Sequence, residues 1–310
     1  MTDALPSRLP FVKMHGLGND FVVVDIRSCP VFSDVLGAPQ RVRFLCDRHR
    51  GIGADGVLVV SEGQTVGAMA AMTVYNADGS LSQMCGNGLR CVALYAANQA
   101  PECHSPSEAS AVLIDTGAGP KTCKVRRSRL DREASVEVEM GPPSVLQTQE
   151  VDLEVSSQAF LGALTIVSMG NPHAVCFCDD AHDFSDLLRA ARTWGPGLET
   201  HPLFPEKTNV EFVRVAHSSQ APDSLEVVVW ERGCGLTLAC GTGACAAAAA
   251  ALQQGLLPNA GQVRVRLPGG VLSVTVAPDF SSSRLVGPAE TVFFGEIATS
   301  SIMALDGSCL

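Results

Sequence analysis

Met84–Ala97 reads MCGNGLRCVALYAA, and Ala239–Ala251 reads ACGTGACAAAAAA. Each opens on a cysteine, continues with Gly-x-Gly, and runs into residues that favour helix. Working outward, each cysteine has a polar residue nine positions upstream, just after an aromatic: Tyr75-Asn76 before Cys85, and Trp230-Glu231 before Cys240. Further upstream stand GND (Gly18–Asp20) and GNPH (Gly170–His173), 67 residues before Cys85 and 70 before Cys240. Three features repeated in one order indicate an internal duplication. The expectation is two related domains facing each other about a pseudo-twofold axis, with Cys85 opposite Cys240 across a cleft.

Between these markers the chain reads as short strands punctuated by glycine, among them Phe21–Ile26, Val57–Val60, Met72–Tyr75, Val136–Met140, Leu164–Val167, Ala174–Phe177, Val210–Val215, Leu225–Trp230, Val263–Leu267, Val271–Val276 and Thr291–Phe294. Helical patterns are few: Asn87–Asn98, Ala181–Thr193 and Ala244–Gln254. Many strands with few helices predict an α+β fold of curved, largely antiparallel sheets. Gly141–Gln149 interrupts the pattern and reads as a linker. It sets an N-terminal half over 1–140 and a C-terminal half over 150–284, and the residues from 298 to 310 read as a loose tail.

Composition narrows the function. The 310 residues are 46% apolar and 17% charged, which supports a packed core. A net charge of −10 without basic clusters argues against nucleic-acid binding. The first ten residues lack a secretory apolar core, and the longest apolar run, around Ala244–Leu252, is too short to span a bilayer. The expectation is a cytoplasmic protein that does not engage membranes, and its twelve cysteines read mostly as thiols in a reducing compartment. Cys176 and Cys178 share a strand face, but no second pair completes a four-ligand set, so no metal is expected.

The two Cys-Gly-x-Gly turns carry the chemistry. The first turn of a helix has N–H groups without internal partners, which can bind a carboxylate and favour a thiolate. A helix terminus worth up to about 2 kcal/mol would lower a thiol from about 8.5 to about 7. One such site reads more readily as a structural cysteine after a tight turn; two at matching positions reverse that preference. Paired thiols on opposite sides of a cleft suit inversion of a stereocentre, one removing the α-proton as thiolate and the other returning a proton as thiol. The helix N-termini would stabilise the carbanion. Cys91 and Cys245, inside the helices, read as core.

Asn19, Asn76, Asn171 and Asn209 lie in turn-like contexts and, with Arg232, suggest a hydrogen-bonding cage with one cation, suited to a small zwitterion. Arg232 reads equally as a surface ion pair with Glu231. His173 and Glu231 could tune a thiol or serve as structural hydrogen-bond partners. No GxGxxG follows a strand, and GxxxxGK[ST], GxSxG and HExxH are absent. Neither Lys13 nor Lys207 has a context that marks a pyridoxal-phosphate lysine.

KMHGLGNDFVVVD (Lys13–Asp25), RHRGIGADG (Arg48–Gly56), YNADGS (Tyr75–Ser80), CGNGLRC (Cys85–Cys91), MGNPH (Met169–His173), TNVEF (Thr208–Phe212), ERGCGLTLACGTGACA (Glu231–Ala246) and GPAE (Gly287–Glu290) together resemble the diaminopimelate epimerase family, in its order and over nearly the whole chain. The resemblance implies two similar halves, each a curved sheet around a central helix, with a strand over 285–297 returning to the first half. It implies cofactor-independent conversion of LL-2,6-diaminopimelate to the meso form, in lysine and cell-wall precursor biosynthesis, by a homodimer. Cys85 and Cys240 would be the acid/base pair, and Asn19, Asn76, Asn171, Asn209, Glu231 and Arg232 would bind substrate. Gly86-Asn87 and Gly241-Thr242 would hold the α-carboxylate, with His173 and Glu231 adjusting the thiols. Gly56, Cys234 and Leu236 depart from the residues common in that family (Gln, Ala and Glu). Two alternatives remain: a proline or hydroxyproline racemase, which needs no distal cage, and a non-catalytic thiol redox protein.

Overall fold

The computed structural model describes residues 5–99, 109–128, 132–155, 158–178, 180–216, 224–257 and 261–304, backbone only for 153–161. The chain separates into two compact units, Met1–Val138 with Pro288–Leu310, and Glu139–Gly287.

The first unit holds β1 (Arg8–Gly16), β2 (Asn19–Asp25), α1 (Phe32–Leu36), α2 (Pro39–Cys46), β3 (Gly56–Ser61), β4 (Ala70–Asn76), β5 (Leu81–Ser82), α3 (Gly86–Gln99), β6 (Ser110–Asp115), β7 (Lys121–Arg127) and β8 (Glu133–Glu139). From there the chain forms β9 (Ser144–Val155), β10 (Gln158–Ser168), β11 (Pro172–Phe177), α4 (Phe184–Glu199), β12 (Asn209–Ala216), β13 (Ser224–Glu231), β14 (Gly235–Leu236), α5 (Gly241–Gln253), β15 (Gln262–Leu267), β16 (Gly270–Val276), β17 (Ser283–Ala298) and α6 (Thr299–Met303).

The two units repeat one pairing pattern. In the first, β1 is antiparallel to β2, β2 parallel to β3, and β3 antiparallel to β4. β4 takes β5 antiparallel and β6 parallel, and β6, β7 and β8 continue antiparallel. In the second, β10, β11, β12 and β13 pair in the same antiparallel, parallel, antiparallel sequence. β13 takes β14 antiparallel and β15 parallel, and β15, β16 and the start of β17 continue antiparallel. The sheets are therefore mixed, with antiparallel pairs predominating. β17 divides its pairing: Ser283–Val286 lie against β16, and Glu290–Ala298 lie against β1.

Strand alternation sends successive side chains to opposite sheet faces. Val22, Val24, Val57 and Val59 join Phe32, Val42, Leu45 and Ile302 in a cluster with α1, α2 and α6. Ala174, Cys176, Val210, Phe212 and Val228 pack with Leu187, Ala191 and Leu198 of α4. On the other parity, Leu58 lies beside Gly88 of α3 and Val229 beside Gly243 of α5. These helices are buried on nearly every side: all eleven residues from Gly86 to Ala97 save Tyr95 are buried in α3, and Ala244–Ala251 are buried in α5. A helix apolar all round belongs in a core, and alanine lets the surrounding strands come close. Among the described residues, no helix is long and apolar enough to cross a membrane.

Two readings are corrected. Most of Gly141–Gln149 is strand, not linker: β9 starts at Ser144 and pairs with β10. Its polar, exposed residues hid the period, because partner hydrogen bonds rather than burial make this strand. The supposed loose tail begins with α6, where Ile302 is fully buried and Thr299 Oγ1 donates to the Pro6 carbonyl at 2.6 Å. One helical turn is too short to show a period. Residues 305–310 lie outside the described chain.

Candidate active site

Cys85 stands immediately before α3. Its carbonyl accepts from the Leu89 N–H at 2.8 Å, closing the first helical turn, and the Gly88 N–H donates to its Sγ at 3.4 Å. Gly88 fits because it lacks a side chain: a Cβ there would lie 2.8 Å from Leu58 Cδ2. Buried Asn87 donates through Nδ2 to Asn19 Oδ1 at 3.0 Å, and Asn19 Nδ2 donates to Asp55 Oδ2 at 2.9 Å. Arg90, fully buried, donates to Asn87 Oδ1 at 3.0 Å, to the Pro288 carbonyl at 3.0 Å and to the Gly86 carbonyl at 3.3 Å. Behind Asn19, Arg48 bridges Asp20 at 2.6 Å and Asp55 at 2.8 Å, while Lys13 pairs with Asp20 at 2.5 Å and donates to the Gly53 carbonyl. Burial opposes ionisation of Asp20, but hydrogen bonds from Arg48 and Lys13 outweigh it and hold the carboxyl at about 2. Asn76 is separate from this chain; its Nδ2 donates to Ser80 Oγ at 2.9 Å across the turn into β5.

Cys240 occupies the matching position before α5. It is the N-cap residue, its carbonyl accepts from the Ala244 N–H at 3.0 Å, and the Gly243 N–H donates to its Sγ at 3.4 Å. Thr242 Oγ1 lies 3.5 Å from the same sulfur. A Cβ on Gly243 would meet Glu211 Oε1 at 2.8 Å and Cys240 Sγ at 3.3 Å, so helix start, thiol and carboxyl are packed together. Glu211 and His173 are fully buried and share a 2.7 Å hydrogen bond through Nδ1, while His173 Nε2 lies 3.1 Å from Asn171 Oδ1. Both ring nitrogens are thus engaged within this unit. Glu231 accepts from Thr237 Oγ1 at 2.6 Å. Buried Asn209 donates to the Pro172 carbonyl at 2.9 Å and accepts the Arg232 N–H at 3.0 Å. The Arg232 turn is further pinned by Glu199, which accepts from Trp230 Nε1 at 2.9 Å and from the Gly233 N–H at 3.1 Å. The exposed Arg232 guanidinium donates to the Glu206 carbonyl at 3.1 Å, and no ion pair to Glu231 forms.

The electrostatics at Cys240 differ from those inferred from a helix terminus alone. Burial pushes its thiol well above the ordinary value, and the carboxyls of Glu231 and Glu211 push the same way. The Thr242 and Gly243 hydrogen bonds pull down but do not prevail. Burial also raises Glu211 and Glu231. Removing a charge from water near two carboxyls costs more than one helix terminus returns. The direction of the shift favours the protonated form of the Cys240 thiol.

Sequence reading overlooked Arg90, Asp55, Glu199 and Glu211. A lone charge inside an apolar run was the available signal for Arg90 in LRCVAL and for Glu211 in NVEFV. Gly56 leaves no room for a side chain, since a Cβ would come within 2.6 Å of the Tyr75 carbonyl oxygen. Leu236 pairs with Trp230, and Cys234 is exposed. Among the described residues, no group of three or more His, Cys, Asp or Glu is placed to hold a metal ion, and the ten described cysteines form no disulfide.

The family model described as diaminopimelate epimerase matches residues 11–146 and 165–292. A diaminopimelate epimerase of Thermosynechococcus vestitus is 41% identical over 307 residues, covering 93% of this chain and 99% of the relative. One from Synechococcus sp. is 41% identical, covering 95% of this chain and all of the relative. Among solved structures, a hydroxyproline epimerase from Agrobacterium vitis has a TM-score of 0.69 at 15% identity, covering 94% of this chain and 93% of that one. A methylitaconate-delta-isomerase has a TM-score of 0.62 at 16% identity, covering 98% of both chains. At such identities the solved structures share the fold, and that fold serves more than one reaction. The sequence matches go further, spanning both Cys-Gly-x-Gly turns, and by them this chain belongs to the diaminopimelate epimerase family.

Proposed function

We propose that this protein epimerises diaminopimelate, converting the LL isomer to the meso isomer without a cofactor, through Cys85 and Cys240. The carrying observation is the same construction found twice in a chain of that family: a cysteine ahead of a buried helix, its sulfur accepting the third N–H of the turn. Inversion at an α-carbon needs a base on one face and an acid on the other, so the two thiols must reach opposite faces of one carbon. Burial favours the acid form of Cys240 at rest, and the roles of the two thiols exchange in the reverse direction. The N–H groups opening α3 and α5, from Gly86-Asn87 and Gly241-Thr242, hold the α-carboxylate where negative charge grows in the transition state. Asn19, Asn76, Asn171, Asn209, Glu231 and Arg232 bind the rest of the substrate. Glu231 tunes Cys240 directly, and His173 does so through its hydrogen bond to Glu211.

The product would enter lysine and cell-wall precursor biosynthesis, and the enzyme would work in the cytoplasm. A homodimer is part of the proposal. It is supported by an exposed apolar strip on β17, Val292, Phe293 and Phe294, of which Phe294 is 75% exposed.

The test is a substrate panel. Purified protein without added pyridoxal phosphate or metal should interconvert LL- and meso-diaminopimelate and leave L-proline and trans-4-hydroxy-L-proline unchanged. Turnover of either imino acid, with none of diaminopimelate, would transfer the site to the racemase reading.

A further inference from the structure

The hydrogen bonds behind Asn19 run in one direction. Arg90 is donor-only, so Asn87 must turn its Oδ1 toward the guanidinium, 3.0 Å away. That leaves Asn87 Nδ2 to donate, and it does so to Asn19 Oδ1 at 3.0 Å. Asn19 then has only its Nδ2 to give, and Asp55, an acceptor when ionised, takes one hydrogen at 2.9 Å. A cation begins the chain and an anion ends it, so neither amide can flip without placing like groups together at both ends. The cation itself cannot shift: Arg90 is fully buried and tied to the Gly86 and Pro288 carbonyls, with Gly16 leaving room for it. The anion is fixed by Arg48 and by the Asp20 N–H at 3.1 Å.

We propose that Arg90 and Asp55 are positioning residues that lock the Asn19 amide as a hydrogen-bond donor, so that its second N–H recognises a carboxylate oxygen of the ligand and discriminates against an ammonium group. This rests on the epimerase reading for the identity of the ligand, but the lock itself is a property of the protein alone. An unlocked asparagine would present oxygen or nitrogen about equally. A locked one spares that reorganisation on binding and makes the wrong end of a zwitterion unwelcome.

The experiment pairs kinetics with side-chain amide NMR on the ligand-free protein, using Asp55→Ala and Arg90→Met. In Asp55→Ala, the Asn19 side-chain N–H should lose protection from solvent exchange while Asn87 keeps it. In Arg90→Met both should lose it. With LL-diaminopimelate, Asp55→Ala should raise KM about tenfold, the worth of one hydrogen bond, with kcat changed less than threefold because Asp55 touches neither thiol. Arg90→Met enters the comparison only if it folds; if it does not, Asp55→Ala decides alone. Unchanged Asn19 protection in Asp55→Ala overturns the lock. An unchanged KM in that variant, with protection lost, overturns the role in recognition. Absence of any turnover in the parent protein would count against the epimerase reading and leave the NMR result to decide the lock.

Discussion

At the scale of single residues, burial and neighbouring charge set the state of each group. Cys240 is 6% exposed and its thiol is pushed up by burial and by Glu231 and Glu211, whereas Cys234 is exposed. Iodoacetamide at pH 7, followed by peptide mass spectrometry, should modify Cys234 well before Cys240, since the thiolate is the reactive form. Equal rates would mean that Cys240 rests ionised. A second consequence concerns acid. Asp20 is ordinarily near 3.8 and lies at about 2 in the folded protein, so its ion pairs stabilise the fold above about pH 4 and that contribution is lost as pH falls through 2. Allowing for solvent screening, the contribution is about 1–2 kcal/mol. Asp20→Asn should therefore lower stability at pH 6 and flatten its loss between pH 4 and 2, as read by urea unfolding. The cysteines and the loop asparagines were legible in the sequence because they lie in glycine-marked turns. Arg90 and Glu211 were not, because a charge within an apolar run declares itself only when its partners, distant in sequence, are known.

Among the elements, α3 and α5 matter most, and their starts are built by exclusion of side chains. Gly243→Ala would push a methyl group against Glu211 Oε1, Val229 and Cys240 Sγ, all within 3.3 Å of its position. The expected cost is about 1–3 kcal/mol of stability, together with a large loss of activity from displacement of the thiol. Thermal unfolding and turnover, measured together, check both; wild-type values in each would contradict the packing described. Both helices were foreseen within a few residues, because long apolar runs after Gly-x-Gly leave little choice. The strands that went unread, such as β7 with its KTCKVRR, alternate charge with small apolar residues. α2 was missed for another reason: Pro39 signals a helix start only once the eight-residue run behind it is seen to bury Val42 and Leu45. β9, with Leu146 62% exposed, is held by its hydrogen bonds to β10 and has little burial to show in its sequence.

For the whole molecule, the duplication legible in two short motifs extends to the entire pairing order of both units. A pattern of turns could announce a repeat, but only the registers reveal that β2 with β3 and β11 with β12 are the parallel pairs in each copy. β17 also belongs to the whole, pairing with β16 at one end and with β1 at the other and carrying the apolar strip proposed as a subunit contact. Phe294→Arg should convert a dimer to a monomer in sedimentation equilibrium at micromolar concentration, and a parent protein already monomeric there would refute that contact. The central claim is that two thiols share one α-carbon. Its most direct measurement is inversion of LL-diaminopimelate in deuterated water by the parent protein, Cys85→Ala and Cys240→Ala. The parent should form meso product carrying deuterium at one α-carbon, and each variant should lose inversion by roughly a hundredfold to ten-thousandfold. Normal turnover by either variant would contradict the account.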